Sequence, residues 1–401
     1  MIGTLPTVLF SNILGYWVDI KSLVHLDSAY CNHVDRLAFA SLLASKEFTF
    51  RSLVSFDSSK LIAWLSKKEV KASSIKLSTA SELLPDYLRN WGSFINSVIT
   101  GMPSAGEISH VILFIAIHCK NLQVIRCSHF RLNPAFKELL WCNPNISEIW
   151  LSHLCGDGAS VFDNIPLSKL STLSISRSTR YSNYSLPITS VSNTLQKLRL
   201  DGRVDAELIV KTVRLTPALK SLSLEDVQLS DEMLIEICSI LPTLLHLDVS
   251  NNHLLSSNGV LAMCKSLTQL RSINLQNCPY VLDSTMRNLA TYCGETLEVV
   301  YMEIKNANHA SVVEELEYFS RRCVKLHTLS IMCNRSVLCP AGGTFALLQG
   351  LPSLRLLIIE TEAVICVSSR RFLQVTHPLL RIVVEGVWHD KYPFNALHMA
   401  I

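Results

Sequence analysis

Apolar and polar positions alternate in short segments that return along the chain at a nearly constant interval. Each segment has an apolar residue at its first, fourth and sixth positions, with mostly polar residues between them. Counted between first positions, the intervals are 24, 24, 25, 24, 25, 26, 27, 29, 28 and 25 residues. The eleven segments begin at Leu122, Ile146, Leu170, Leu195, Leu219, Leu244, Leu270, Leu297, Leu326, Leu354 and Leu379. A period of this length indicates a stack of similar structural units.

Each unit is predicted to contain one strand followed by one helix. Alternation with a period of two predicts a strand with one buried face. The residues that follow often have helical spacing, as at Met286, Leu289, Ala290 and Cys293, which lie at i, i+3, i+4 and i+7. A single unit cannot bury its apolar face, whereas stacked units form a continuous core. Fainter copies around residues 75–77 and 95–98 extend the pattern toward the N-terminus.

The repeated unit resembles the cysteine-containing class of leucine-rich repeats. One unit contains the stretch Cys264-Lys-Ser-Leu-Thr-Gln-Leu-Arg-Ser-Ile-Asn-Leu-Gln-Asn-Cys278, and Cys119 and Cys323 repeat its helix-end cysteine. The resemblance implies a right-handed α/β solenoid, curved into a horseshoe, with a parallel sheet on the concave face and helices on the convex face. It also implies that the cysteines are buried and inert rather than metal-binding.

The residue that follows each strand has a role implied by the same resemblance. Asn252, Cys278 and Asn334 occupy this turn position in three of the units. In the family, this residue satisfies backbone groups inside the turn. We therefore expect these three side chains to be buried and hydrogen-bonded.

The first 56 residues do not follow the repeat. Leu9, Ile13 and Leu14 share one face of a predicted helix, and Asp19 or Ser22 is a suitable cap for a second helix. A third apolar stretch covers residues 36–43. Residues 1–56 are therefore predicted to form a small all-α bundle, and residues 57–401 the solenoid.

This N-terminal segment resembles a divergent F-box, the small domain through which adaptor proteins attach to Skp1. A Leu-Pro start, an aliphatic pair, an Ile-Leu pair and a leucine-rich second helix are all present. The segment departs from the family at Thr7, where an acidic residue is usual, and it lacks the terminal tryptophan. The implied Skp1-docking residues are Leu5, Pro6, Leu9, Ile13, Leu14, Ile20 and Leu23. The alternative is an N-terminal cap that shields the first repeat.

Outward-facing positions of the predicted sheet give the candidate partner-binding residues. Acidic residues recur in one outward column from Asp201 onward, and apolar residues cluster toward the C-terminus. An apolar patch rimmed by charge is typical of a protein-binding site and favours a partner whose apolar segment is flanked by basic residues. Alternatively, the tail from about residue 386 caps this end. The candidate face comprises Trp150, Arg199, Asp201, Glu225, Asp248, Tyr301, Glu303, Met332, Ile358 and Glu360.

Motifs of catalysis and metal binding are missing from the sequence. It contains no G-x-S-x-G motif, no phosphate-binding glycine loop and no H-E-x-x-H motif. His153, Cys155 and Asp157 lie close together like metal ligands, but they fall in a glycine-containing loop without a second pair of ligands. We therefore expect no enzymatic activity, no metal and no cofactor.

Composition narrows the possible partners and cellular locations of the protein. Hydrophobic residues make up 49% of the 401 residues, yet no run approaches the roughly 20 apolar residues of a membrane span. A net charge of +3 is too small to favour nucleic acid as a partner. The 13 cysteines include no Cys-x-x-Cys pair, and no secretory signal is evident, which favours a reduced protein of the cytoplasm or nucleus.

These observations predict a protein that binds other proteins. The F-box resemblance implies a substrate adaptor of an SCF-type (Skp1–cullin–F-box) ubiquitin ligase, with a Skp1-like protein on the N-terminal bundle and a protein substrate on the repeats. The alternative is a non-catalytic leucine-rich-repeat scaffold or inhibitor without a role in ubiquitination. An exposed apolar surface at the docking residues would favour the adaptor, and packing of those residues near Ile75 would favour the cap.

Overall fold

The structure is a computed structural model that describes residues 7–29, 33–45, 48–56, 58–78, 81–101, 105–129, 133–153, 165, 167–176, 193–202, 204, 206–282, 284–304, 309–333, 350–360 and 381–385. Strands and helices alternate through most of this part of the chain. The strands are β1 (Val54–Ser55), β2 (Ser74–Leu77), β3 (Ser97–Thr100), β4 (Val124–Ser128), β5 (Glu148–Ser152), β6 (Thr172–Ser176), β7 (Lys197–Asp201), β8 (Ser221–Glu225), β9 (His246–Asp248), β10 (Ser272–Asn274), β11 (Val299–Ile304), β12 (Thr328–Cys333), β13 (Leu356–Glu360) and β14 (Arg381–Glu385). The helices are α1 (Thr7–Trp17), α2 (Ile20–Ala29), α3 (His33–Ala44), α4 (Ser59–Lys67), α5 (Leu84–Trp91), α6 (Ala105–His118), α7 (Pro134–Trp141), α8 (Ala206–Leu215), α9 (Asp231–Ile240), α10 (Ser257–Ser266), α11 (Thr285–Cys293) and α12 (His309–Arg322).

Two compact units make up the chain, residues 1–195 and residues 196–401. In the first unit, β1 to β6 pair in sequence order, and each pair is parallel. In the second unit, β7 to β14 pair in the same way. Helices α1 to α3 belong to the first unit, so this division falls within the repeats rather than after the N-terminal segment.

The sheet of the first unit starts earlier than the eleven regular segments. The two fainter copies are strands β2 and β3, as predicted. Strand β1 precedes them and lies inside the stretch that the sequence assigns to the helical bundle. Val54 of β1 is in register with Ile75 of β2. The repeat array therefore begins within residues 1–56.

Alternation along the strands separates the core from the outward face. In β8, Leu222 and Leu224 are fully buried, whereas Ser221 and Glu225 are partly exposed. Leu222 is in register with Leu198 of β7 and with Leu247 of β9. Burial of one leucine side chain contributes about 1.5–3 kcal/mol, so a row of aligned leucines holds successive repeats together.

The predicted helical positions are confirmed. Met286, Leu289, Ala290 and Cys293 all lie on the buried face of α11. The apolar stretch at residues 111–117 lies within helix α6. Among the described helices, none combines the length and the apolar character that a bilayer span requires.

Asn252 closes the turn after β9 with five hydrogen bonds. Its Oδ1 accepts from the backbone N–H groups of Val227 at 3.2 Å and Leu229 at 2.9 Å. Its Nδ2 donates to three backbone carbonyls at 2.7, 2.9 and 3.1 Å. In the next repeat, the Cys278 thiol donates to the carbonyl of Val249 at 3.2 Å. Both residues have the expected role, and Asn334 lies outside the described residues.

Cysteines near the helix ends are buried in the second unit. Cys238, Cys264, Cys293 and Cys323 are all at most 1% exposed. Burial raises the pKa of both the Cys238 and the Cys323 thiols to about 12. A protonated, inaccessible thiol is a poor nucleophile and a poor metal ligand, so these side chains act as small core residues.

Candidate protein-binding surfaces

Polar side chains form a connected row across the outward face of the second unit. The Nη2 atom of Arg199 is 2.6 Å from Oε2 of Glu225 and 3.2 Å from Oδ2 of Asp201. The Nδ2 atom of Asn251 donates to Oε1 of Glu225 at 3.0 Å, and the Nδ2 atom of Asn277 donates to Oδ1 of Asn251 at 2.7 Å. The row runs from β7 to the turn after β10 and fixes these side chains in place.

The acidic residues of this face differ in their access to solvent. Asp201 and Asp248 are buried, and Glu225 is partly exposed. Burial raises the pKa of Asp248, although Ser250 donates to its Oδ1 from the backbone N–H and from the hydroxyl. Burial also raises the pKa of Glu225, against the opposing effect of Arg199. Of these three acidic residues, only Glu225 is exposed enough to meet a partner directly.

The variant Asp248→Asn is expected to be more stable than the wild type at neutral pH. It removes a buried charge but keeps an oxygen that can accept the hydrogen bonds from Ser250. A carboxyl whose pKa is raised by folding stabilises the protein at low pH, and this contribution is lost as the pH rises through the folded-state pKa. In urea unfolding, the advantage of the variant should therefore shrink as the pH falls toward the ordinary aspartate pKa of 3.8.

Asp226→Asn is the matched control for this measurement. Asp226 is an exposed carboxylate in the turn after β8, and asparagine tolerates its positive φ of 56°. Its substitution should change the free energy of unfolding by less than about 0.5 kcal/mol. An advantage of Asp248→Asn that stays constant from about pH 4 to about pH 7.5 would show that ionisation of Asp248 is not its cause.

Trp150 belongs to a separate group in the first unit. The guanidinium carbon of Arg126 lies 5.2 Å from the centre of the Trp150 ring. The Nε1 atom of Trp150 donates to Oε2 of Glu148 at 3.1 Å. These three side chains lie on the outward face of β4 and β5, where the ring is partly exposed. Trp150 therefore remains a candidate contact residue.

Among the described residues, three of the late apolar side chains are buried. Val299, Tyr301 and Ile358 are buried together, and Leu356 packs against them. Tyr301 is 6% exposed and Ile358 is 3% exposed, so neither can contact a partner in this conformation. These described members of the expected apolar contact surface therefore form a small buried cluster.

The rest of the predicted face is only partly described. Glu303 is of intermediate exposure. The side chains of Met332 and Glu360 lie outside the described residues, as does the tail from residue 386. The capping role predicted for that tail stays a prediction.

A second surface of the second unit comes from the turns between strand and helix. These turns lengthen over three successive repeats, and each runs from a residue with positive φ to the serine that precedes the helix. The span is four residues from Asp226 to Ser230, five from Asn251 to Ser256 and seven from Asn277 to Ser284. The longer turns carry Leu254, Tyr280 and Leu282, which are 59%, 63% and 58% exposed.

The two long turns run side by side. Tyr280 forms a parallel bridge with Ser256, and the backbone N–H of Leu282 donates to Oγ of Ser257 at 2.7 Å. We call Leu254, Tyr280 and Leu282 the turn patch. An exposed tyrosine among aliphatic side chains is typical of protein-binding hot spots. The strand pattern gave no sign of this surface, whereas a comparison of turn lengths between repeats would have found it.

An apolar surface is also exposed on the N-terminal helices. Leu9, Ile13 and Tyr16 follow one another at intervals of four and three residues, so they share one side of α1. They are 49%, 38% and 51% exposed, and Leu37 of α3 is 58% exposed. Helix α1 packs against α3. We call these four residues the helix patch.

The predicted Skp1-docking residues fall into two groups. Leu9 and Ile13 belong to the exposed helix patch. Leu14 and Leu23 are buried at 3% and 0% exposure, so they act as core residues instead of contacting a partner. Ile20 is of intermediate exposure. Leu5 and Pro6 lie outside the described residues.

Specific contacts attach the N-terminal helices to the first repeat. The buried Asp27 of α2 accepts from Nε1 of Trp64 at 3.1 Å and from Nζ of Lys68 at 2.9 Å. The backbone N–H of Arg51 donates to the carbonyl of Gly15 at 2.9 Å. The bundle therefore covers the first repeat on one side while its helix patch stays exposed.

Among the described residues, no three His, Cys, Asp or Glu side chains are placed to hold a metal ion. His153 stacks on His129, with ring centres 4.3 Å apart. Cys155 and Asp157, the other members of the predicted imitation site, lie outside the described residues.

Comparison with known proteins identifies the fold. No family model matches the chain, and no curated protein matches its sequence. The crystal structure of the Rad7 and Elc1 complex in yeast contains a chain that is similar over 94% of this chain and 92% of its own length, with a TM-score of 0.57 and 15% identity. An identity this low shows the fold alone. The protein is a leucine-rich-repeat solenoid.

Proposed function

We propose that the protein is a substrate adaptor of an SCF-type ubiquitin ligase. In this role the N-terminal helices bind a Skp1-like protein, the repeats bind a protein substrate, and the chain itself carries out no bond chemistry. The observation that carries the proposal is the helix patch, whose Leu9 and Ile13 are two of the docking residues implied by the F-box resemblance.

The helix patch is not needed to fold the bundle. Leu14, Leu23, Phe39 and Leu43 are buried and already supply an inner core for the three helices. Each aliphatic side chain left in water forgoes about 1.5–3 kcal/mol that burial would contribute. Four exposed apolar side chains on two helices that pack together favour a partner that covers them.

The structural neighbour supports the same role. Its crystal structure is that of Rad7 in complex with a second protein, Elc1. A solenoid with this fold can therefore be part of a complex with another protein. For the present chain we propose a Skp1-like protein at the helix patch.

The turn patch is the proposed substrate surface. Its three apolar side chains lie in the repeats that carry Asn251 and Asn277, the end of the polar row that includes Glu225. Asp201 and Glu225 outnumber the single cation Arg199 in that row. A substrate segment with an apolar side chain flanked by basic residues fits this arrangement.

The second candidate function is a scaffold or inhibitor without a role in ubiquitination. The hydrogen bonds from Trp64 and Lys68 to Asp27 favour it, because they give the bundle a structural role at the end of the repeats. A capping role alone predicts no affinity for Skp1. The two functions are therefore separated by one binding experiment.

The experiment is a pull-down of a purified Skp1-like protein, with and without its cullin, by the full chain. The adaptor proposal predicts a stable complex with the Skp1-like protein and co-purification of the cullin. Elc1 serves as a second probe, and binding of Elc1 alone would replace the F-box interpretation with an Elc1-type attachment. Binding of neither protein would refute the adaptor and leave the scaffold.

A further inference from the structure

A polar groove of about 890 Å³ follows one edge of the sheet in the first unit. Its lining residues come from the segment just before each strand, where the chain turns back from the helix. Some lining residues form a first row, three residues before the start of a strand, and others form a second row, one residue before the start of a strand. The first row includes Arg51, Asn121, Asn145 and Lys169, and the second includes Asn96 and Gln123.

Positive charge lies at both ends of the groove. Arg51 precedes β1 and Lys169 precedes β6. The guanidinium of Arg51 stacks 4.3 Å from the ring centre of Tyr16, and Nζ of Lys169 donates to Oδ1 of Asn145 at 2.7 Å. Within the described part of the chain, no carboxylate lies within 4.0 Å of either cation, and the lining includes no Asp or Glu. The groove is therefore complementary to a ligand with anionic groups near both ends.

Free amide groups lie between the two cations. The side chains of Asn96 and Gln123 are exposed, and neither has a hydrogen-bond partner among the described residues. The backbone around them is already paired, since Gln123 N donates to the Asn96 carbonyl and Ser147 N donates to the Gln123 carbonyl, both at 2.8 Å. A carboxamide offers a donor and an acceptor together, which matches the alternating N–H and C=O groups of an extended peptide.

The length of the groove sets the length of its ligand. Arg51 and Lys169 hold equivalent positions in repeats that are five strand spacings apart. At about 4.8 Å per spacing, the two positions are about 24 Å apart. An extended chain advances about 3.4 Å per residue, so about eight residues would cover this distance.

We propose that this groove binds an extended peptide segment of about eight residues with an acidic residue near each end. A nucleic acid strand fits less well, because it would place phosphates along the middle of the groove, where the lining includes no Lys or Arg. The inference goes beyond the adaptor proposal and does not depend on it, since among the described residues the groove meets the helix patch only where Arg51 stacks on Tyr16.

The test is fluorescence anisotropy of the full chain with a labelled, end-blocked octapeptide, Glu-Ser-Thr-Ser-Thr-Ser-Thr-Glu. We expect saturable binding that weakens at least about tenfold when both glutamates are replaced by glutamine, because two charge-assisted contacts are lost. Replacing the glutamates with lysine should abolish binding. Equal affinity for the three peptides, or no binding of the first, would overturn the proposal.

Charge reversal in the protein completes the test. Arg51→Glu with Lys169→Glu should abolish binding of the glutamate-ended peptide and favour the lysine-ended one. The matched control is Lys60→Glu with Lys67→Glu, two exposed lysines of α4 outside the groove. If the first double variant fails to fold, Asn96→Ala with Gln123→Ala should still weaken binding, because the bundle and the core are untouched.

Two further outcomes are decisive. Tighter binding of an oligouridylate of equal length than of the acidic peptide would overturn the proposal in favour of nucleic acid. If the chain fails to bind a Skp1-like protein but still binds the acidic peptide, the proposal of a peptide-binding groove is supported and the adaptor proposal is refuted. The two proposals can therefore fail independently.

Discussion

A chain carrying Leu9→Lys and Ile13→Lys is expected to lose its affinity for a Skp1-like protein by at least about a hundredfold, or about 2.8 kcal/mol. Both residues are exposed on α1, so the substitutions should leave folding intact. In a complex they would place two ammonium groups in an apolar interface without partners, and an unpaired buried charge costs several kcal/mol. The dissociation constant from titration calorimetry measures the loss.

The matched control for this pair is Leu83→Lys with Leu113→Lys. These leucines are 38% and 36% exposed in the first unit but lie outside the helical bundle. The two control substitutions introduce the same charge and remove a similar apolar area at another surface, so binding of the Skp1-like protein should be unaffected. If the α1 variant binds as tightly as the wild type, or if the control weakens binding equally, the helix patch is not the docking surface.

Asn252→Ala is expected to lower the free energy of unfolding by about 4 kcal/mol. The substitution leaves the backbone N–H groups of Val227 and Leu229 without their acceptor and the Leu224 carbonyl without this donor. It also removes one donor each from the carbonyls of Val249 and Ser250, which keep the Cys278 thiol and the Asp226 N–H. Each buried polar group that loses its partner costs about 1–3 kcal/mol, and water entering the space left by the side chain recovers part of this sum. Urea unfolding followed by circular dichroism measures the change.

Asn258→Ala is the control for the asparagine side chain itself. Asn258 is exposed in the first turn of α10, its backbone N–H donates to Oγ of Ser256, and its side chain has no hydrogen bond to another described residue. Its replacement should change stability by less than about 0.5 kcal/mol. A loss of less than about 1 kcal/mol for Asn252→Ala would mean that the turn does not depend on this side chain.

The repeat was predictable because its signal is periodic and local. Leu222 and Leu224 occupy the first two inward positions of a strand, and the same spacing returns in the neighbouring repeats. Strand β1 escaped prediction because it has only two residues, Val54 and Ser55, which are too few to show alternation. Its place in the sheet is set by pairing with β2 rather than by its own sequence.

The exposed face of α1 was only half predictable. Leu9, Ile13 and Leu14 lie close together around α1, so spacing alone could not decide which of them faces inward. The structure settles the orientation through long-range contacts such as the one between Gly15 and Arg51. These contacts turn Leu14 toward the core and leave Leu9 and Ile13 outside.

Burial of the outward face could not be deduced from the strand pattern either. Alternation correctly places Asp248 and Tyr301 on the outward side of their strands. Whether an outward side chain is accessible depends on its neighbours in adjacent repeats and turns, as the burial of Asp248 at 1% exposure shows. The turn patch is the converse case, because its three side chains lie in turns, outside the alternation of the strands, and are exposed.

Hydrogen exchange of the full chain, with and without a saturating Skp1-like protein, tests the central claim most directly. The adaptor account predicts slower exchange of backbone amides in α1 and α3, and no change in the repeats from β8 to β10, which remain free for a substrate. Slower exchange in those repeats without any change in α1, or no change anywhere in the chain, would contradict it.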